Sequence, residues 1–370
     1  MRITCLIDSL NSGGAQQQMC MLAPLLKKSG MEVEVLIYFP HDFFAHLLND
    51  AGVPWKVIPW KGKLGRIWAV RKALRQSKPD VVIAYLEMPS LLAELAGLPQ
   101  RNFKLIVSER NTTLSPGFKD KIYYNLHRLA DAVVPNSYSQ EKVIHRYAPY
   151  LCKKTKTIVN CVDDDYYKPV ESVENDTHLN ILVVGRFEPQ KNPLGLLEAI
   201  DRVRKANPAC SFCVNWYGSN FFIDNKPTSA SHLYLQVKDQ IVKRSMTEIF
   251  ILHPPARDLL KVYQSCSVFC LPSLYEGCSN VIAEAMACGK PILAGSVCDN
   301  VNLVQDGLNG YLFNPQNPGS IAQAILKFVN LQPNQKKQMG AESRRRAEAL
   351  LSPEVFVNKY ISLIKSLTGK

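Results

Sequence analysis

Short runs of β-branched and aromatic residues alternate with helical patterns along almost the whole chain, and this alternation constrains the fold more than any other feature. The runs in the first half are RITCLID, EVEVLIY, WKVIPW, DVVIAYL, FKLIVSE and DAVVPNS, and those in the second half are NILVVGRF, CSFCVNWYG, IFILHPP, VFCLP, PILAG and GYLFNP. They are strand-like in length and composition. Strands separated by helices pair in parallel, because a parallel pair needs a crossover connection. The pattern predicts an α/β chain.

The alternation stops once, around Val162–Thr177, where the chain becomes acidic and its apolar residues are no longer regularly spaced. A chain of 370 residues is also too long for one typical core. We therefore predict two doubly wound Rossmann-like domains, residues 1–165 and 166–353, with a last helix of about 354–370 that packs back on the first. Ligands of such sheets bind at the carboxyl ends of the strands. We expect the domains to face each other across a cleft that holds the site.

The charge and cysteine content narrow the class of protein. The formal net charge is +12, and residues 1–170 hold 23 Lys/Arg against 15 Asp/Glu. Such an excess suits a phosphorylated substrate, an anionic lipid or a nucleic acid. Eleven scattered cysteines imply no disulfide framework and favour a reducing cytoplasm. The N-terminal apolar run is too short for a signal peptide, and no apolar stretch reaches 18 residues, so we expect a cytoplasmic protein that does not span a membrane.

Two cations follow the first strand of the second half, in VVGRFEPQKN. Arg186 and Lys191 lie in the loop that enters the next helix, at the predicted carboxyl edge of the sheet. An arginine can bind phosphate oxygens with two parallel hydrogen bonds, and a lysine adds a point charge. Together they suit a diphosphate on which negative charge develops. Taken singly, they are better explained as solvated loop cations.

A glycine pair follows the first strand of the chain, in LNSGGAQQQ. Gly13 and Gly14 allow a tight turn and a close approach of the backbone to a ligand, and the helix that they open favours an anion at its start. The motif is not GxGxxG, and a plain strand–helix turn explains it as well.

Two glutamates, Glu276 and Glu284, bracket the start of a helix in YEGCSNVIAEAMACG. Ser279 or Asn280 is a suitable N-cap, and Gly289 ends the helix. Carboxylates accept hydrogen bonds from vicinal hydroxyls, and backbone N–H groups at a helix start bind phosphate. A ligand whose phosphates lie between two groups that bear hydroxyls fits this arrangement, and a nucleotide sugar is such a ligand. The alternative is that Glu276 caps the helix and Glu284 pairs with a nearby cation.

These motifs together resemble the retaining glycosyltransferases of family 4, which have the B-type fold of two Rossmann-like domains, and in particular those of bacterial surface-polysaccharide synthesis. The resemblance covers nearly the whole chain. It rests on GRFEPQK and EGCSNVIAEAMACGKP, and also on GGA, IVNCVD and LVQDGLNGYLFNP. The E-x7-E segment is its most specific element.

The resemblance implies a role for each matching residue of the second domain. Arg186 and Lys191 would hold the donor diphosphate and stabilise the leaving nucleotide. Glu276 would contact the hydroxyls of the donor sugar, and Glu284 would contact the ribose. The backbone of Ser279, Asn280 and Val281 would complete the phosphate cradle.

The first domain matches the family less completely. By the resemblance, Gly13 and Gly14 would approach the phosphate or the sugar. Many members carry a histidine after the fourth strand, where this chain has IAYLEMPS and no histidine. Glu87 could take that catalytic place, and so could the segment Ser108–Asn111 one strand later.

The sequence therefore predicts a hexosyltransferase that moves a sugar from a nucleoside diphosphate, UDP-N-acetylhexosamine or UDP-hexose, to a glycan or lipid-linked acceptor. Retention of configuration and surface polysaccharide or lipopolysaccharide synthesis are implied by the resemblance. Arg186 and Lys191 supply positive charge, so no metal or other cofactor is expected, and Asp163–Asp165 is interpreted as a solvated loop. A nucleotide-sugar epimerase and a non-catalytic nucleotide-sugar-binding subunit remain the alternatives.

The segment Trp55–Lys78 holds eight Lys/Arg and three tryptophans but no acidic residue. It could lie on an anionic membrane, peripherally on the inner face of the cytoplasmic membrane, or dock an anionic lipid-linked acceptor. An ordinary amphipathic helix with a basic outer face explains the same pattern. A nucleic-acid role is not expected, because no recognition motif accompanies the charge.

Overall fold

The chain divides into two compact units, Met1–Cys161 with Pro353–Lys370, and Val162–Ser352. A computed structural model of the protein describes residues 1–113, 115–170, 178–218, 222–223, 226–227, 229–256 and 258–369. Part of the predicted linker, residues 171–177, lies outside this set.

Unit 1 is built from six strands and the helices that join them. In chain order its elements are β1 (Arg2–Leu6), α1 (Gly14–Lys28), β2 (Glu32–Ile37), α2 (Ala45–Asp50), β3 (Trp55–Val57), α3 (Gly62–Ser77), β4 (Val81–Tyr85), α4 (Glu87–Ala96), β5 (Lys104–Glu109), α5 (Phe118–Leu126), β6 (Ala132–Pro135) and α6 (Tyr138–Tyr147). Its sheet has the order β3-β2-β1-β4-β5-β6, and every pair is parallel. This is the order of a doubly wound Rossmann sheet.

Both faces of the unit 1 sheet are buried. Successive side chains of a strand point to opposite faces, so one strand contributes residues to two cores. In β4, Val81, Ile83 and Tyr85 enter one core, which includes residues of α1. Val82 and Ala84 enter the other core, with residues of α3 and α4. Because the side chains on both faces of β4 are buried, its sequence is one continuous apolar run.

Unit 2 repeats the same plan. Its elements are β7 (Leu179–Val184), α7 (Pro193–Ala206), β8 (Phe212–Tyr217), β9 (Phe222–Ile223), β10 (Lys226–Pro227), α8 (Ser229–Lys243), β11 (Phe250–His253), α9 (Leu260–Ser265), β12 (Val268–Leu271), α10 (Asn280–Ala287), β13 (Ile292–Gly295), α11 (Asn300–Leu303), β14 (Gly310–Phe313), α12 (Pro318–Val329) and α13 (Pro333–Leu351). The parallel sheet has the order β11-β8-β7-β12-β13-β14, and β9 and β10 form a separate antiparallel pair that the sequence did not predict. The predicted class of two parallel Rossmann-like domains is confirmed.

The last helix, α14 (Pro353–Thr368), belongs to unit 1. Its residues Phe356, Tyr360 and Ile364 lie in the same core as α1. The hydroxyls of Tyr360 and Tyr85 are 2.8 Å apart, and both side chains are fully buried. This bond satisfies two polar groups that would otherwise be costly to bury.

The unit boundary falls between Cys161 and Val162 because the residues that follow are bonded within unit 2. Nη1 of Arg344 donates to the backbone carbonyls of Asp164, Tyr167 and Ala287, at 2.9, 2.8 and 2.8 Å. Asp164 is only half-exposed, and burial raises the pKa of its carboxyl. Asp163 and Asp165 are exposed, as a solvated loop would be, and only Asp164 is partly withdrawn from water.

The basic segment Trp55–Lys78 contains β3 and α3. Its three tryptophans differ in environment: the indole N–H groups of Trp55 and Trp60 donate to Asn49 and to the Tyr38 carbonyl, whereas Trp68 is 68% exposed. Within the described part of the chain, no helix has the length and apolarity needed to cross a membrane.

Candidate functional site

The two loops that the sequence singled out in unit 2 leave neighbouring strands. β7 pairs with β8 on one side and with β12 on the other, so the strand order reverses at β7. The loop Gly185–Asn192 follows β7, and the segment Tyr275–Gly289 follows β12. Both therefore emerge at the carboxyl edge of the sheet beside its topological switch point, where open α/β sheets bind ligands.

Lys191 and Glu276 meet at this edge. The Lys191 ammonium donates to Oε1 of Glu276 at 2.5 Å, and only 15% and 9% of the two side chains are exposed. Two further bonds hold the loops together: Nε2 of Gln190 donates to the Tyr275 carbonyl, and the Leu274 N–H donates to the Gln190 carbonyl, each at 2.8 Å. The ion pair is thus largely shielded from water, and hydrogen bonds hold the backbone of both loops in place. Electrostatic interactions are stronger in such a site than in water.

Arg186 stands in a more open position. Its Nη1 lies 3.1 Å from Oε1 of Glu188, and 59% of its side chain is exposed. Exposed pairs of this kind contribute only about 0–1 kcal/mol. The guanidinium can therefore exchange Glu188 for an anionic ligand at small cost.

Helix α10 begins at Asn280 with Ser279 as its N-cap, and no side chain caps this end. Ser279 is buried, and Asn280 and Val281 are half-buried. The first N–H groups of a helix lack intrahelical partners and carry partial positive charge. The start of α10 thus offers backbone donors about four residues after Glu276, as the proposed phosphate cradle requires.

Glu284 lies inside α10 and is 8% exposed. The phenol of Tyr263, on α9, donates to its Oε2 at 2.8 Å. Tyr263 is fully buried, and burial together with the Glu284 charge raises the pKa of this phenol well above its ordinary value. Tyr263 thereby positions Glu284, a partnership that nothing in the sequence signalled.

The glycine pair belongs to unit 1. Gly13 is the N-cap of α1 and has ordinary extended backbone, φ −143°, so the expected tight turn is not the reason for glycine there. A Cβ on Gly13 would lie 2.2 Å from Oε1 of Gln16, whose Nε2 donates to Oδ1 of Asp8 at 2.9 Å. Glycine at this position lets Gln16 reach back to the end of β1.

Glu87 is the first residue of α4, directly after β4, and also belongs to unit 1. Its Oε2 accepts from the Lys119 ammonium at 3.2 Å. Of the alternative segment, Ser108, Glu109 and Arg110 are buried and bonded internally. Asn111 lines the same cavity as Glu87.

A buried histidine that the sequence did not single out lies beneath this segment. His127 is fully buried between Glu94, 2.7 Å from its Nδ1, and Glu109, 2.7 Å from its Nε2. Burial alone lowers the pKa of His127, but the two carboxylates outweigh it and raise the pKa to about 9. At neutral pH His127 is an imidazolium that donates to both glutamates and holds the end of β5.

Two family models match consecutive parts of the chain without overlap. Residues 12–166 match Glycosyltransferase Family 4, and residues 168–346 match Glycosyl transferases group 1. The chain belongs to glycosyltransferase family 4. The resemblance inferred from the motifs is confirmed.

Curated proteins similar to this family 4 glycosyltransferase come from several bacteria. A Campylobacter jejuni protein named GalNAc-alpha-(1->4)-GalNAc-alpha-(1->3)-diNAcBac-PP-undecaprenol alpha-1,4-N-acetyl-D-galactosaminyltransferase is 24% identical over 94% of both chains. Spore coat protein SA of Bacillus subtilis is 28% identical over 60% of this chain and 61% of its own length. The latter match therefore spans less than two thirds of that relative.

Solved structures share the fold. A glycosyltransferase from Rickettsia africae superposes with a TM-score of 0.84 at 18% identity, over 99% of this chain and 98% of that one. Anabaena Alr3699/HepE in complex with UDP also superposes with a TM-score of 0.84, at 19% identity, over 99% of this chain and 100% of that one. The fold of this family 4 glycosyltransferase is thus the B-type pair of Rossmann-like domains.

The described part of this family 4 glycosyltransferase holds no group of three or more His, Cys, Asp or Glu residues that could bind a metal ion. The acidic triplet Asp163–Asp165 is thus not part of such a group. The structure brings Lys191 together with Glu276 and places Ser279–Val281 and Glu284 on the adjoining helix.

Proposed function

We propose that this glycosyltransferase transfers a hexose or N-acetylhexosamine from its UDP derivative to a glycan or lipid-linked acceptor, with retention of configuration. The dehydrated pair of Lys191 and Glu276 at the switch point of unit 2 carries the proposal. A cation and a carboxylate side by side suit the two parts of such a donor, because the diphosphate needs positive charge and the sugar hydroxyls need acceptors. The name of the Anabaena structure describes a complex with UDP, which supports UDP as the nucleotide of the donor.

The proposed reaction breaks the bond between the anomeric carbon and the β-phosphate oxygen. As this bond lengthens, negative charge grows on the diphosphate, where Lys191 and Arg186 stabilise it more strongly than in the ground state. Lys191 is held by Glu276 before the donor arrives, so little reorganisation is needed. Glu276 accepts hydrogen bonds from the sugar hydroxyls, and Glu284, oriented by Tyr263, accepts those of the ribose.

The acceptor hydroxyl then bonds to the anomeric carbon on the face that the diphosphate leaves. Its proton passes to a phosphate oxygen of the leaving UDP, so no separate protein base is required. Attack on the same face retains the configuration. Because the two cations stabilise the negative charge of the leaving group, we propose that the reaction needs no metal ion.

A ligand screen followed by product analysis tests this function. We expect UDP and a UDP-sugar to raise the melting temperature of the protein, since a ligand that binds only the folded state stabilises it, and GDP to raise it less. With that UDP-sugar and a glycan acceptor, in EDTA, NMR of the product should show the donor's anomeric configuration. Inversion, or a metal requirement, would contradict the mechanism.

The same assay separates the alternatives. Incubation with the UDP-sugar alone should yield no new epimer, because the donor site has no assigned group to remove a ring proton. An epimer formed without acceptor would establish the epimerase. Tight UDP binding without transfer to any acceptor in a bacterial lipid extract would establish the non-catalytic subunit.

We further propose that the enzyme is cytoplasmic and touches anionic membranes through helix α3. Trp68 is strongly exposed on this helix, and the guanidinium of Arg71 lies 5.9 Å from its ring. An exposed tryptophan beside cations suits the interface of an anionic bilayer. The polysaccharide role is supported by the undecaprenol in the name of the Campylobacter relative.

Vesicle sedimentation tests the membrane contact. We expect binding to vesicles of phosphatidylglycerol and phosphatidylcholine, about tenfold weaker binding for Trp68→Ala, and loss of binding at high salt. Leu350→Ala, a change of an exposed apolar residue in unit 2, is the control and should bind as the unmodified protein does. Equal binding by the two variants would refute the role of α3.

A further inference from the structure

Helices α3, α4 and α5 cover one face of the unit 1 sheet and share a core beneath them. Val70 of α3, Leu92 of α4 and Tyr124 of α5 all lie in this core, together with side chains of β4. α4 packs against both α3 and α5, as expected of the middle helix of three successive crossovers. Because one side of each helix faces the shared core, the opposite sides form a common outer face.

The outer side of α4 is apolar after its first residue, Glu87. Met88, Leu91 and Leu95 recur at intervals of three and four residues, and Leu98 lies just beyond the helix end. Met88 and Leu98 are exposed, and Leu91 and Leu95 are half-buried. A helix that only covers a sheet normally shows polar residues on this side. The apolar stripe therefore indicates that a further surface covers α4.

The two neighbouring helices carry exposed aromatic residues. Phe118, the first residue of α5, is 83% exposed, and Trp68 of α3 is 68% exposed. No other large hydrophobic side chain in the described part of the chain is exposed to this extent. Ile122 lies one turn after Phe118, on the same side of α5, and is also exposed. Exposed apolar residues that cluster on one face mark an interaction site, whereas scattered ones do not.

The exposed charges of the same helices are positive. The described charged residues that are exposed on them are Lys72, Arg75, Lys119 and Lys121. Lys119 pairs with Glu87 at 3.2 Å, whereas the other three form no ion pair with any described residue. The three carboxylates of these helices are buried or half-buried, and each accepts a hydrogen bond. The outer face thus combines an apolar centre with uncompensated positive charge.

We propose that the outer face of α4 and α5 lies on an anionic lipid bilayer, where Phe118 and Ile122 insert between the lipids. The inference rests on the membrane contact proposed for α3 and extends it to the two helices that follow. The apolar side chains exchange water for acyl chains. The cations around them lie at the depth of the lipid phosphates, which attract them.

A bilayer matches this face better than a second copy of the chain does. In a two-fold dimer built on this face, the same cations would meet across the interface, and like charges at close range are unfavourable. Anionic lipids instead supply phosphates next to hydrocarbon over the whole area. Each part of the face therefore finds its complement in the bilayer without a shaped pocket.

Vesicle sedimentation of the full-length protein tests the inference. We expect Phe118→Ala and Lys121→Glu each to weaken binding to vesicles of phosphatidylglycerol and phosphatidylcholine about tenfold. Both side chains are exposed, so the melting temperature should not change. Val242→Ala is the matched control, because Val242 is 60% exposed on α8 of unit 2, and it should bind as the unmodified protein does.

A fluorescent side chain at the same position reports direct contact with the lipid. Phe118→Trp should add tryptophan emission that vesicles with brominated acyl chains quench, because bromine quenches only at close range. Val242→Trp should add emission that the same vesicles leave unchanged. A merely structural role of Phe118 would not produce this difference.

The inference is overturned if Phe118→Ala binds vesicles as Val242→Ala does, or if brominated lipid leaves the Phe118→Trp emission unquenched. It is also overturned if the unmodified protein binds no vesicle and light scattering shows a dimer that Phe118→Ala dissociates, because a second copy then covers the face. If Trp68→Ala weakens binding and Phe118→Ala does not, the contact of α3 stands alone. UDP affinity, measured on the same samples, reports on the proposed donor function separately.

Discussion

Replacing Lys191 with alanine is expected to lower kcat/KM for sugar transfer by about 10²–10³-fold, the usual effect of removing one group that stabilises developing negative charge. The ammonium is almost dehydrated, so its charge acts on the leaving diphosphate with little screening. Transfer is measured as UDP release in the presence of acceptor. Lys191→Arg should recover little of the activity, because a planar guanidinium does not reproduce a compact charge held 2.5 Å from Glu276.

The same change has a second effect that must be separated from the first. Without Lys191, Glu276 is left as a buried carboxylate with no cation, which typically costs 3–5 kcal/mol of stability. The double variant Lys191→Ala with Glu276→Gln removes this penalty and should regain stability in urea unfolding, yet remain inactive. Lys205→Ala is the control: it removes an exposed ammonium from Asp201, which keeps its ion pair with Arg204, and should change stability by no more than about 1 kcal/mol. Recovery of transfer in the double variant would show that the loss came from unfolding.

The stability of the protein is expected to fall as the pH rises from about 6.5 to about 9, because of His127. Its pKa is higher in the folded state than the ordinary 6.5, so its contribution is complete below pH 6.5 and disappears as the pH passes the folded value of about 9. A shift of this size corresponds to a loss on the order of 3 kcal/mol. Burial also raises the pKa of Glu94, which acts in the same direction at lower pH.

Urea unfolding of the unmodified protein across this pH range measures the effect, and two variants assign it. His127→Ala leaves Glu94 and Glu109 buried without a cation and should cost about 3–5 kcal/mol at pH 7. Glu94→Gln, the milder change, should flatten the pH profile while the protein still folds. His41→Ala, a change of an exposed histidine, should leave the slope as it is. A profile that is flat from pH 6.5 to 9 in the unmodified protein would contradict the role of His127.

The sequence predicted most of the fold because a doubly wound sheet leaves a strong periodic pattern. The six strands of each parallel sheet coincide with the apolar runs to within one residue, and most of these strands are buried on both faces, the edge strand β3 being an exception. The pair β9–β10 escaped prediction because Phe222–Ile223 and Lys226–Pro227 are two residues each. Strands of two residues are too short to show an alternation of apolar and polar residues.

The positions of the candidate residues of unit 2 were predictable from the sequence, whereas only part of the lining of the unit 1 cavity, Glu87 and Asn111, was singled out in advance. Arg186, Lys191 and Glu276 lie in loops that directly follow strands, so a local motif points to them. The cavity of unit 1 draws Asp8, Phe39, Glu87 and others from separate loops that only the sheet order brings together. Asp8 could have been found, because it closely follows the first strand.

The contacts of buried polar groups are still harder to foresee. His127 bridges Glu94 and Glu109, which are 33 and 18 residues away, and Tyr263 reaches Glu284 from another helix. None of these spacings is a motif. Such contacts depend on packing between elements, which no local pattern encodes.

Calorimetric titration of UDP is the most direct test of the proposed donor site, which consists of the Gly185–Asn192 loop and the Tyr275–Gly289 segment. In EDTA, we expect the unmodified protein to bind UDP, and Lys191→Ala to bind it at least about tenfold more weakly, a difference of about 1.4 kcal/mol. Lys205→Ala should bind UDP as the unmodified protein does. Equal affinities of the Lys191 and Lys205 variants, or no UDP binding by the unmodified protein, would contradict this assignment.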